Sequence, residues 1–297
     1  MSQCHLCPRD CGVDRAVAVG RCGVGEQLRI ARAALHFWEE PCISGTNGSG
    51  TIFFSGCPLG CLYCQNEKLS HRREGIDIPI SRLREIMEEL IQQGAHNINL
   101  VNPTHYTDAV LEALSPKPSV PIVWNSSGYE RPESLRRLAG KVDIFLPDLK
   151  YSDPVLAARY SGAGDYFEVA KSAILEMVEQ IGSPVFDQNG LLRRGVLIRH
   201  LVLPGCEENT RSVIDWVSEV FPQGEVLFSL MGQYTPCGSA AKDPLLGRKL
   251  TNSEYTWAKN YLQCSGLETG YFQDITSADT MYIPAFDGEG VEKSVQG

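Results

Sequence analysis

The chain has 297 residues, 43% of them hydrophobic and 21% charged, a balance that excludes a disordered or low-complexity protein and is long enough for one large α/β domain or a barrel. A formal net charge of −9 argues against a phosphate-tracking nucleic-acid surface, which needs clustered Lys and Arg. No run of about 18 apolar residues and no apolar leader in "MSQCHLCPRDCGVDR" point to a membrane span or a secretory signal, so a cytoplasmic protein is expected.

In chain order, residues 1–25 come first, with Cys4, Cys7, Cys11 and Cys22 among many glycines and too little apolar material to fold without a staple. Disulfides are rare in a reducing compartment, so four thiols at Cys-x2-Cys-x3-Cys-x10-Cys read as a closed metal site, either zinc or an auxiliary iron–sulfur cluster. The run "TIFFSG" (51–56) reads as a buried strand, and "ISRLREIMEELIQQG" (80–94) as an amphipathic helix with Ser81 as candidate N-cap and Gly94 as its stop. The alternation then repeats. Strands are expected at 97–101, 121–127, 142–149, 195–203 and 225–231, and helices near 106–115, 132–140, 166–181 and 209–221. Continuous apolar cores such as "TIFF" and "VLFSL" are those of parallel strands covered on both faces. After residue 232 the chain is loop-rich, with a helix near 251–263 and an extended tail, "YFQDITSADTMYIPAF", expected along the barrel edge. Three parts follow: a cysteine-rich metal-binding module (1–28), a partial (β/α)6 barrel (29–232) and a C-terminal extension packing on it (233–297).

In such folds chemistry gathers where the strands end. "SGCPLGCLYCQN" (55–66) begins at the end of the first predicted strand and sets Cys57, Cys61 and Cys64 at Cys-x3-Cys-x2-Cys. Three thiolates leave one position of a four-metal cluster open, and an open position separates a reactive centre from a structural one. Zinc completed by a distant residue such as Cys42 is the alternative reading. "LPDLK" (146–150), "HLVLPGC" (200–206) and "MGQYTPCG" (231–238) close later strands and should converge on the same mouth. Cys206 and Cys237 read either as hydrogen donors at that mouth or as small buried side chains; Cys42 and Cys264 carry no signal.

"CPLGCLYC" resembles the signature of the radical S-adenosylmethionine (SAM) superfamily. The resemblance implies that Cys57, Cys61 and Cys64 hold a [4Fe-4S] cluster, whose fourth iron takes the amine and carboxylate of SAM. Reductive cleavage of SAM would then yield a 5′-deoxyadenosyl radical for hydrogen abstraction. The longer run "FFSGCPLGCLYCQN", "DLK" (148–150) and "RHLVLPG" (199–205) resemble the glycyl-radical-enzyme activating proteins, such as the pyruvate formate-lyase activating enzyme. That branch implies a glycyl radical enzyme as protein substrate and a low-potential electron donor such as flavodoxin or ferredoxin. It also implies SAM contacts from Tyr63 on the adenine face, Asp148 on a ribose hydroxyl or the amine, and Lys150 on the carboxylate. His200 joins them as a candidate, although alternation sends one of Arg199 and His200 to the helix side of its strand. The chain differs from that branch at "VNPTHY" (101–106), where Gly-Gly-Glu is expected; Asn102 and Thr104 become the candidate amine contacts, with His105 beside them. That difference keeps open a radical enzyme acting on another peptide or a small molecule, and a non-catalytic zinc or iron–sulfur module stands as the alternative from another class.

Overall fold

The computed structural model describes residues 3–267, 270–273 and 284–293. The chain runs β1 (Leu28–His36), α1 (Pro41–Ser44), β2 (Ser49–Phe54), α2 (Glu67–Ser70), β3 (Ile76–Ile78), α3 (Ile80–Gln92), β4 (Ile98–Val101), α4 (Thr107–Ala113) and β5 (Ile122–Ser126). It continues with α5 (Pro132–Arg136), β6 (Ile144–Pro147), α6 (Pro154–Ser161), α7 (Tyr166–Ile181), β7 (Val185–Phe186), β8 (Leu192–Leu201), α8 (Glu207–Val220), β9 (Leu227–Met231), α9 (Asn252–Cys264) and β10 (Gly270–Gln273). The sheet order is β10-β9-β8-β6-β5-β4-β2-β1-β3, with β7 on the flank of β8. All pairings from β2 through β10 along this path are parallel, which makes the expected α/β partial barrel.

Both faces of the central parallel strands β2, β4, β5, β6 and β9 are largely buried, as their unbroken apolar runs require. One face, with Ile52, Leu100, Trp124, Ile198 and Phe228, packs under the helices in the main core. The opposite face carries Val123, Ile144, Leu146, Leu197 and Leu227 at the closed end, against Cys42 and Ile43 of α1. Helix α3 buries Leu83, Ile86, Met87 and Leu90 on one stripe. It is entered through Pro79 rather than capped by Ser81, and Gly94, at φ +94°, follows its C-cap residue Gln93. Thr251 and Glu254 form a reciprocal capping box at the start of α9.

Two features extend the expected barrel. β1 lies antiparallel to β2, pairing Ala34 with Thr51 and His36 with Ser49, and carries β3 on its other edge. β10 adds a parallel strand beyond β9. Of the tail expected along the barrel edge, residues 274–283 lie outside the described residues. Among the described residues no helix is long and apolar enough to cross a membrane.

Residues 3–24 contain no helix or strand and dock on the barrel through hydrogen bonds and close backbone approach. The Cys22 carbonyl accepts from the Cys57 amide at 3.2 Å, directly at the three-cysteine loop. Gly56 permits this approach. It sits at φ +86°, and a Cβ there would lie 2.9 Å from the Cys22 oxygen.

Candidate active site

Strand alternation carries a second set of residues into the mouth of the barrel. Phe53, Val101, Asn125 and Arg199 point inward from β2, β4, β5 and β8, and Asp148 follows β6 in the same phase. They line a cavity of about 300 Å³, into which Cys57, Cys61 and Cys64 project from the loop after β2. The loop is held by its own hydrogen bonds. The Gly60 amide donates to Cys57 Sγ at 3.4 Å, the Ser161 hydroxyl donates to Cys61 Sγ at 3.0 Å, and the Leu62 amide donates to the Tyr160 carbonyl at 2.8 Å. Burial and the nearby Cys61 push the Cys57 thiol up to about 11, against the pull of the Gly60 and Leu59 amides; burial, Cys61 and Cys57 push Cys64 up to about 12. Buried soft donors that repel one another as thiolates, with amides aimed at sulfur, form a donor set suited to an iron–sulfur cluster.

A chain of alternating charges crosses the cavity wall. Lys150 Nζ donates to Asp148 Oδ2 at 2.6 Å, Arg199 Nε donates to Asp148 Oδ1 at 3.0 Å, and Arg199 Nη1 donates to Glu39 Oε2 at 3.1 Å. Asn125 joins twice, accepting from Arg199 Nη2 at 2.7 Å and donating to Glu39 Oε1 at 3.3 Å. Burial works against each charge, but the partners prevail. Arg199 and Lys150 hold the Asp148 carboxyl below the usual carboxylate range, and Asp148 lifts Lys150 above its ordinary value. The cavity therefore offers both signs at short range, the pattern that suits a zwitterionic ligand.

The structure thus brings together Cys57, Cys61, Cys64, Asn102, Asp148 and Lys150, with Tyr63 beside them. Tyr63 is buried in edge-to-face contact with Tyr151, Tyr160 and Tyr234, so much of its ring is committed to packing. Asn102, held at φ +59°, donates through its side chain to the Gly56 carbonyl at 2.6 Å.

Two expected contacts lie elsewhere. The Thr104 hydroxyl donates to Glu130 behind the wall, at 2.7 Å. His200 faces the helices, its ring nitrogens held by the Leu149 carbonyl at 2.6 Å and Thr210 Oγ1 at 3.0 Å, while Arg199 is the residue turned inward. His105 is buried with Nε2 on the Ser55 carbonyl at 2.8 Å, and Cys206 and Cys237 are absent from the cavity lining. Glu39, Asn125 and Ser126 line the cavity without having been singled out in the sequence.

Cys4, Cys7, Cys11 and Cys22 lie in one neighbourhood. Cys11 and Cys22 act electrostatically on Cys4, Cys22 and Cys4 act on Cys7, and all four thiols are free. Among the described residues, at either thiol group or elsewhere, no three His, Cys, Asp or Glu side chains close to the spacing of a single-ion site.

A parallel partial barrel with a three-thiol loop at the mouth defines an α/β protein with a candidate thiolate site where the strands end, and comparison with known proteins narrows it. Residues 51–209 match the Radical SAM superfamily. An uncharacterized protein of Methanocaldococcus jannaschii, MJ0674, is 30% identical over 263 residues, covering 84% of this chain and 71% of that one. The chain belongs to the radical SAM superfamily and is a radical SAM enzyme, and membership implies a [4Fe-4S] cluster and SAM as cofactors. Among solved structures, methylornithine synthase (PylB) has a TM-score of 0.50 at 14% identity, covering 73% of this chain and 68% of that one, a likeness of fold. Streptococcus suis SuiB bound to S-adenosylmethionine gives 0.49 at 15% identity, covering 73% of this chain; the chain spans about half of SuiB, 47%.

Proposed function

We propose that Cys57, Cys61 and Cys64 hold the [4Fe-4S] cluster, that SAM lies between it and the Asp148–Lys150–Arg199 wall, and that the enzyme activates a glycyl radical enzyme by taking hydrogen from a glycine Cα. The carrying observation is that the three thiols and this charged wall line one cavity. When bound, cluster and SAM supply reductive cleavage to a 5′-deoxyadenosyl radical. The chain's own residues bind and orient. Lys150 offers an ammonium to a carboxylate, Asp148 offers acceptors to a hydroxyl or amine, and Arg199 fixes Asp148 from behind. Tyr63, Leu59 and Phe54 keep the thiol loop apolar and shielded from water, which favours low-potential chemistry. The glycyl-radical branch is supported by "FFSGCPLGCLYCQN" and "DLK".

A second reading, a radical enzyme acting on another peptide or a small molecule, is favoured by Asn102 and Thr104. Neither is a carboxylate, and both side chains are engaged by Gly56 and Glu130. The four N-terminal thiols are proposed as a second thiophilic metal centre, zinc or iron–sulfur, that stiffens a segment with little core of its own.

The test is anaerobic reconstitution with dithionite and SAM, followed by addition of a glycyl radical enzyme encoded in the same genome. 5′-Deoxyadenosine with a glycyl radical signal on the partner supports activation. 5′-Deoxyadenosine in the absence of that signal favours the second reading, and absence of 5′-deoxyadenosine refutes catalysis by this route. Metal analysis reads the N-terminal site: one zinc, or iron beyond about four per chain, supports it, and neither refutes it.

A further inference from the structure

We infer that Arg9, in the irregular N-terminal segment, is a positioning residue for the cluster loop, acting through the two peptide planes that follow Cys57. The inference rests on the reading that Cys57 is a cluster ligand.

Arg9 is half-buried and its guanidinium meets four backbone carbonyls. Nε donates to Pro58 O at 2.8 Å, Nη2 donates to Leu59 O at 3.4 Å and Ser161 O at 2.8 Å, and Nη1 donates to Gly162 O at 2.6 Å. The group also lies over the Tyr129 ring, 5.1 Å from its centroid. Ser161 and Gly162 end α6, where carbonyls lack partners within the helix and a cation is favoured. Pro58 and Leu59 stand between the first two cysteines of the motif.

Peptide planarity gives these bonds their consequence. The Pro58–Leu59 and Leu59–Gly60 bonds are trans, so each carbonyl points opposite to the amide of the next residue. Holding Pro58 O and Leu59 O outward on Arg9 therefore turns the Leu59 and Gly60 amides inward. Both face Cys57, and the Gly60 amide is 3.4 Å from its sulfur. The same guanidinium ties the loop to Ser161, whose hydroxyl donates to Cys61 Sγ. Hydrogen bonds to a ligating sulfur stabilise the more negative, reduced form of a cluster and are one determinant of its potential. Arg9 thus sets the orientation of sulfur-directed amides from a part of the chain outside the matched residues 51–209.

The test uses the full chain with Arg9→Gln, Arg9→Lys and a control, Arg131→Ala, whose residue pairs with Asp10 of the same segment without touching the loop. In cluster-free protein, hydrogen exchange at the Leu59 and Gly60 amides should be about tenfold faster in Arg9→Gln, partly restored in Arg9→Lys, and unchanged in Arg131→Ala. In cluster-loaded protein, the midpoint potential of Arg9→Gln should be lower than wild type. Unchanged exchange in both Arg9 variants, equal acceleration in Arg131→Ala, or an unchanged potential in loaded Arg9→Gln would each overturn the inference. If Arg9→Gln fails to fold, Arg9→Lys decides by the same exchange and potential readouts. Faster exchange in a chain that takes up no cluster would reject Cys57 as a ligand while retaining the brace.

Discussion

Arg199→Met is the sharpest probe of the cavity wall. The guanidinium holds Glu39 at 3.1 Å, Asp148 at 3.0 Å and Asn125 at 2.7 Å, with 13% of its side chain exposed. Methionine keeps most of the volume and removes the charge, leaving Glu39 with only the Asn99 and Asn125 amides, Asp148 with Lys150 alone, and the Asn125 amide oxygen unpaired. Breaking a buried pair by deleting one partner costs about 3–5 kcal/mol. At roughly 2–4 °C per kcal/mol for a chain of this size, the melting temperature should fall by about 6–20 °C. Glu39→Gln added to Arg199→Met should return part of the loss, because it removes the carboxylate left without a cation. The sign with pH follows from Asp148. Its folded pKa lies below the unfolded 3.8, so its stabilisation is present above that pH and is lost as pH falls through the folded value. The deficit of Arg199→Met should therefore hold from neutral pH down to about pH 4 and shrink only below it. Anaerobic urea melts of cluster-free protein at pH 7 and at about pH 3 measure it. A loss under about 1 kcal/mol at pH 7, or an equal loss at both values, would refute the claim that these charges form one coupled network.

Replacing Cys57, Cys61 and Cys64 together by Ala should remove about four irons per chain while leaving any metal held by the N-terminal thiols, as read by iron, sulfide and zinc analysis. Burial raises the Glu130 carboxyl to about 7, against hydrogen bonds from Thr104 and Trp124, so wild-type stability should fall as pH rises from about 4.5 to 7. In Glu130→Gln that slope should flatten, and urea midpoints across this window check it. Glu254→Gln weakens the α9 capping box and the bonds to Arg248 and the Gly205 amide, and should cost about 1–2 kcal/mol in urea melts at pH 7.

The parallel strands were legible because their apolar runs leave no polar face, and the thiol loop because it starts where the first of them ends. The same property hid the phase of β8. In "VLIRHL" both faces are apolar on either side of Arg199 and His200, so alternation shows that they part company without showing which turns inward. The structure settles it: Ile198 and His200 share the helix-facing side, and Arg199 meets Asp148. Thr104 lies behind the wall for a related reason. The turn through Asn102 at φ +59° swings the following residues behind the wall, and no periodic pattern announces a single left-handed residue. β1 is not legible in the sequence because "LRIARAALH" mixes Ala and Arg where a strand pattern asks for β-branched and aromatic side chains; its antiparallel pairing with β2, a tertiary contact, makes it a strand.

What residues 3–50 contribute is therefore more than a cover for the sheet edge. Glu39 enters the cavity from the turn between β1 and α1 and supplies the end of the Lys150–Asp148–Arg199–Glu39 series, without which Arg199 would face Asp148 alone with an excess of positive charge. With it, two cations and two carboxylates balance, and the wall presents no net charge of its own. A ligand carrying both an ammonium and a carboxylate can then exchange into either kind of pair at short range, while a singly charged ion gains one pair only by breaking another. The balance of charge at this wall thus depends on a carboxylate that precedes the matched segment, just as the inferred orientation of the thiol loop depends on Arg9, and the cavity is lined by chain on both sides of the three-cysteine motif.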